Sequence, residues 1–147
     1  MKKFITLNKY GELYIDKILF ETYFPIIFTC KNENNDIFIC VCCQCNENGC
    51  KWLVGRTNGS FIVRMLQNEI TIRQLLLDCC TEKISVDYKN QEYAIAYNNS
   101  DWNEESDYLP KKDAYIDAEG GEFDEEIAYF TSIEHVEYNE EYYKIII

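Results

Sequence analysis

Apolar residues in the first hundred positions come in short runs broken by turn residues, a pattern of strands rather than long helices. Lys3 to Leu7 and Glu12 to Phe20 are rich in β-forming residues and are parted by the turn signal Tyr10-Gly11. Pro25 to Cys30 is the next run, followed by the polar turn "KNENND" at 31 to 36. Ile37 to Cys45 and Cys50 to Val54 flank "NENG", a hairpin turn ending in glycine. The pattern predicts a meander of about five strands.

Two short helices follow. In "NGSFIVRMLQNE" Ser60 is the expected cap, with Phe61, Met65 and Leu66 on the buried face. In "TIRQLLLDCC" Thr71 and Gln74 have the spacing of a capping box. Ile72, Leu75, Leu76 and Cys79 then form a stripe at i, i+3, i+4 and i+7. Lys83 to Tyr88 and Glu92 to Tyr97 predict a further hairpin, and "NNSDWNEESD" (98 to 107) a loop. Beyond it we expect a strand from Lys112 to Ala118, a short helix within "GGEFDEEIAYF", and a last hairpin from Ile133 to Tyr138 and Glu141 to Ile147. There is no internal repeat. The predicted class is α+β, a single domain over 1–147 with a mostly antiparallel twisted sheet of hairpins and two or three short helices.

Charge divides the chain. Residues 1–100 hold 11 Lys and Arg against 11 Asp and Glu, whereas 101–147 hold 3 against 15. The net charge of −12 therefore lies wholly in the last third. Such a chain is repelled by nucleic acid and by anionic membranes, and a basic protein is the expected partner. "MKKFITLNKYG" lacks the apolar run of a signal peptide, and no segment approaches the roughly 20 apolar residues of a membrane helix. A cytoplasmic protein is expected, and its eight cysteines are then not a disulfide framework.

"CVCCQCNENGC" at 40 to 50 has the look of a metal site. Structural zinc takes four Cys or His ligands, and Cys40, Cys43, Cys45 and Cys50 have workable spacing, with Cys79 and Cys80 available to complete a set. Alternation along a regular strand argues against it. Phe38, Cys40 and Cys42 would share one face and Ile39, Val41, Cys43 and Cys45 the other, so cysteines three apart would diverge. Thiols filling sheet and core positions are the preferred reading, with no stoichiometric zinc and no cofactor.

Catalytic patterns are sparse. His135 is the single histidine, and the chain has no nucleophile elbow, P-loop or dinucleotide fingerprint. A non-catalytic protein is expected.

The strongest patterned signal is "KDAYIDAEGGEFDEE". On a strand Ala114, Ile116 and Ala118 would face inward, and Asp113, Tyr115, Asp117 and Glu119 outward. Same-face neighbours lie about 6.7 Å apart, comparable with successive phosphates of one nucleic-acid strand. Glu122, Asp124, Glu125 and Glu126 extend the row, and Tyr108, Tyr115, Phe123, Tyr129, Tyr138, Tyr142 and Tyr143 are interleaved as candidate interface anchors. The simpler alternative is an acidic face that only keeps the protein soluble.

The phrases "GELYIDKILFETYFPIIFTC", "KWLVGRT", "NEITIRQLLLDC" and "DYLPKKDAYID" resemble a family of small bacterial and phage-borne domains of unknown function. The resemblance spans most of residues 11 to 130. It implies that the cysteines replace ordinary apolar strand residues, and it carries over no site. The expected function is a non-catalytic acidic inhibitor of a basic, nucleic-acid-handling protein, such as a phage anti-defence (anti-CRISPR-like) protein or nucleic-acid mimic. One alternative is an immunity protein that neutralises a nuclease toxin; another is a zinc- or thiol-dependent enzyme or sensor.

Overall fold

The computed structural model describes residues 2–89, 93–97, 102–103 and 108–133. Turn residues divide the first half into five strands: β1 (Lys3–Leu7), β2 (Gly11–Glu21), β3 (Pro25–Lys31), β4 (Ile37–Asn46) and β5 (Gly49–Thr57). Helices α1 (Gly59–Leu66) and α2 (Ile72–Asp78) follow, then β6 (Glu82–Lys89) and β7 (Tyr93–Tyr97). Residues 124–133 form a third helix, α3. All seven strands make one antiparallel sheet, each hydrogen-bonded to its neighbour in sequence. The fold is α+β, a sheet with three helices among the described residues, as the hydrophobic pattern predicts. Gly11, at φ +76°, takes the left-handed conformation that the first turn requires.

The sheet has a core on each face. On one side Leu19, Ile27, Ile39, Val41 and Leu53 meet Ile62, Met65 and Leu66 of α1, Leu75 and Leu76 of α2, and Phe123 and Phe130 from the last third. On the other side no described helix contributes, and Phe4, Leu13, Phe28, Phe38, Trp52 and Val86 pack on one another. The curl of the sheet makes this second core possible. Register shifts in β1–β2 and β2–β3 sharpen it, because an extra residue in one strand bends it and increases its twist. The curl brings the β1–β2 hairpin against β6: the Tyr88 hydroxyl donates to the Phe4 carbonyl at 3.0 Å, and Lys9, in the hairpin turn, pairs with Glu82 at 2.6 Å. Phe4 contacts Phe28 and Trp52 edge-on.

The helix starts follow side-chain chemistry. The cap of α1 is Asn58, not Ser60: Asn58 Oδ1 accepts from the Phe61 N–H at 3.1 Å, and the Ser60 hydroxyl donates to the same oxygen. The helix begins two residues earlier than expected; Ile62 joins Met65 and Leu66 in the core, and Phe61 is only half-buried. In α2 the capping box forms as predicted, with Thr71 Oγ1 accepting from the Gln74 N–H at 3.0 Å and Gln74 Oε1 from the Thr71 N–H at 2.8 Å. Thr71→Ala is expected to cost about 1 kcal/mol of stability. The check is a urea midpoint, and an unchanged value would mean that the box does not hold the start of α2.

Two sequence expectations fail in the last third. Residues 112–118 form no strand, and Ile133 closes α3 instead of opening a hairpin. The rest of that hairpin, including Tyr138, Tyr142, Tyr143 and His135, lies outside the described residues, as does most of the 98–107 loop. The 112–118 segment runs against α2 and the α1–α2 connection. Its backbone groups find other partners. The Asn68 side chain donates to the Ala118 carbonyl at 3.0 Å and accepts from the Ala118 N–H at 3.1 Å. The Ile72 N–H donates to the Ala114 carbonyl at 3.1 Å, and the Arg73 guanidinium to the Pro110 carbonyl at 3.2 Å. Asp117, at φ +55°, ends the extended run.

Candidate functional sites

The acids at 113–119 are placed by these ties. Asp113, Tyr115, Asp117 and Glu119 are exposed, while Ala114, Ile116 and Ala118 turn inward, so the predicted alternation of exposure holds without a strand. Glu122, Asp124 and Glu125 continue the exposed row around the start of α3, and Glu126 is half-buried. Within this turn the Glu119 N–H donates to Glu122 Oε1 at 3.3 Å.

Of the four interleaved aromatics among the described residues, one is exposed. Tyr115 is 40% exposed, but Phe123 is buried and Tyr108 lies beneath Lys51, whose Nζ is 4.3 Å from the ring centroid. Tyr129 faces the sheet: its hydroxyl donates to Asp16 Oδ2 at 2.5 Å, and Lys17 and Lys31 lie over its ring at 4.4 and 4.9 Å. Burial first, then the neighbouring Asp16 carboxylate, raise the Tyr129 pKa, so the phenol remains a donor. These contacts fasten α3 to β2 and β3.

The cysteine-rich hairpin gives a second arrangement. Up to Cys43 the faces are as expected: Phe38, Cys40 and Cys42 belong to the helix-free core, and Ile39, Val41 and Cys43 to the helix side. Then the register shifts between Cys42 and Gln44, so that Cys42 opposes Trp52 and Gln44 opposes Lys51. The bulge inserts one extra residue and reverses the alternation beyond it. Cys45 thereby moves to the face of Cys42, directly opposite Cys50. The sulfurs of Cys42, Cys45 and Cys50 lie within 4.8 Å of one another, and Cys45 and Cys50 are disulfide-bonded. This pair departs from the expected reading of the hairpin cysteines as thiols filling sheet positions; the other six cysteines are free.

The four cysteines weighed as zinc ligands do not converge. Cys45 and Cys50 meet, but Cys40 sits in the core with its sulfur 3.7 Å from that of Cys30, and Cys43 points to the opposite face. Burial pushes the Cys43 thiol up to about 11. Cys79 and Cys80 belong to the helix side, where Cys80 packs so closely over Gly55 that a Cβ there would overlap its sulfur. Burial pushes the Cys80 thiol up to about 12. Beside the Cys45–Cys50 pair opens a cleft of about 610 Å³, walled by Phe4, Phe24, Phe28, Trp52 and Tyr88. Lys2 and Lys3 lie on its margin.

Among the described residues no helix is long and apolar enough to cross a membrane. Comparison with protein-family models, with curated proteins and with solved structures gives no match to this chain.

Proposed function

We propose that the protein is a non-catalytic inhibitor whose acidic outer segment docks on a basic, nucleic-acid-handling protein. The observation that carries this reading is the pinning of residues 110–118 to α2 and the α1–α2 connection through Asn68, Ile72 and Arg73. An acidic row held at fixed spacing loses little freedom on binding, and this preorganisation favours affinity. Asp113, Asp117, Glu119, Glu122, Asp124 and Glu125 then offer the charge, with Tyr115 among them as an aromatic anchor. Opposite charge on the partner steers the encounter, and its nucleic-acid groove is the natural basic surface. A phage anti-defence protein acting on a CRISPR-type nuclease is one such inhibitor. An immunity protein that neutralises a nuclease toxin would use the same surface on a different partner.

The test is capture of partners from the native host, followed by surface-based kinetics. Replacing Asp113, Asp117 and Glu119 together by Asn, Asn and Gln should slow association more than it speeds dissociation. Asparagine suits position 117, because it tolerates positive φ. Added salt should slow wild-type association likewise, since exposed charges are screened over about 8–10 Å at physiological strength. Tyr115→Ala should speed dissociation, at a cost of about 2 kcal/mol for a hot-spot residue. Glu33→Gln, in the β3–β4 turn, should change neither rate. A captured partner indifferent to salt and to the triple variant would reduce the acids to solubilising charge.

A further inference from the structure

The bulge in β4 brings together three sulfurs that regular alternation would separate, and two of the three residues, Cys45 and Cys50, line a cleft. We propose that, with the Cys45–Cys50 pair reduced, Cys42, Cys45 and Cys50 bind one thiophilic metal ion, with copper(I) the best match. Soft thiolate ligands select copper(I) and zinc over harder divalent ions. Metal–sulfur bonds of about 2.3 Å in a three-coordinate plane place the sulfurs roughly 4 Å apart. The present grouping, within 4.8 Å, allows that separation by side-chain rotation once the bond between Cys45 and Cys50 is broken.

Ligand number separates the two metals. Structural zinc calls for four protein ligands, and among the described residues no histidine or carboxylate joins the three sulfurs. Copper(I) is satisfied by three thiolates alone. Cys45 is exposed and Cys42 and Cys50 are half-buried, so an ion has a path to the site. Trp52, opposite Cys42, and Phe24 belong to the packed face behind it. Oxidation and metal binding exclude each other. When a disulfide such as oxidised glutathione accepts two electrons and two protons from the pair, the Cys45–Cys50 bond forms and two glutathione thiols leave. Only Cys42 then remains as a ligand.

The experiment uses the full chain, reduced and held anaerobic, and titrates it with copper(I) against a chromogenic copper(I) chelator. We expect one copper(I) per chain, three sulfur neighbours by X-ray absorption, and loss of the ion in Cys42→Ser, Cys45→Ser and Cys50→Ser. Cys43→Ser and Cys79→Ser should retain it. Circular dichroism of each variant checks the fold. As a second measurement independent of mutation, wild-type protein oxidised with excess glutathione disulfide should take up no copper, and reduction should restore uptake. The proposal is overturned if the reduced protein captures no copper. It is equally overturned if Cys43→Ser abolishes capture as fully as Cys42→Ser, or if zinc binds one per chain in preference to copper(I).

Discussion

Phe130→Ala is expected to lower the unfolding free energy by about 3–5 kcal/mol, the usual cost of removing a fully enclosed phenyl ring. The ring has no solvent exposure and lies in the helix-side core. It belongs to α3, which also carries Tyr129, stacked edge-on against it at 5.0 Å and bonded to Asp16. Alanine would remove the phenyl contacts and leave a void that α3 fills only by moving. The acidic segment just before α3 would lose its foundation with it. Tyr115→Ala is the comparison, because that ring is 40% exposed and should move the midpoint little. Urea unfolding monitored by circular dichroism reads both. Similar midpoints for the two variants would mean that α3 does not pack against the sheet as described.

Leu75→Ala or Leu76→Ala should each cost roughly 2–5 kcal/mol. Both side chains are fully buried between α2 and the sheet, in contact with the cluster that includes Ile39, Leu53 and Met65. The size of the loss within that range reports how far the site collapses. Close packing leaves little room for collapse here. Cys80 already overlies Gly55 with no space for a Cβ, and its thiol donates to the Leu75 carbonyl at 3.3 Å. A loss under 1 kcal/mol for both leucines would show that the amphipathic reading of α2 is wrong.

Local chemistry made much of this fold readable. Tyr10-Gly11, "KNENND" and "NENG" each marked a real turn, and the Thr71–Gln74 spacing marked a real capping box. Such features depend on residues a few positions apart. What escaped depends on distant partners or on a single inserted residue. The β4 bulge has no glycine to announce it, and without it Cys45 falls on the wrong face. Residues 112–118 alternate with period two, but that period records exposure and not hydrogen bonding. Asn68 replaces the missing strand partner from 50 positions away. The one clue was an asparagine just past a helix, a residue type that accepts the positive φ of 60° found there. Acids surround Tyr129 in sequence and suggest an exposed ring, whereas in space it faces Asp16, Lys17 and Lys31.

The strict sequence order of the strands bears on how the chain is made. Each strand pairs with one already synthesised, so hairpins can close in turn as the chain leaves the ribosome, through local steps except between β5 and β6, where α1 and α2 intervene. The helix-side core matures on a different schedule. Ile27, Ile39, Val41 and Leu53 gain α1 and α2 early, but Trp102, Leu109, Phe123 and Phe130 emerge only with the acidic last third. Until then part of the apolar sheet face stays uncovered in the nascent protein. That interval, rather than the finished molecule, is when a chaperone has most to hold and when aggregation has its opening.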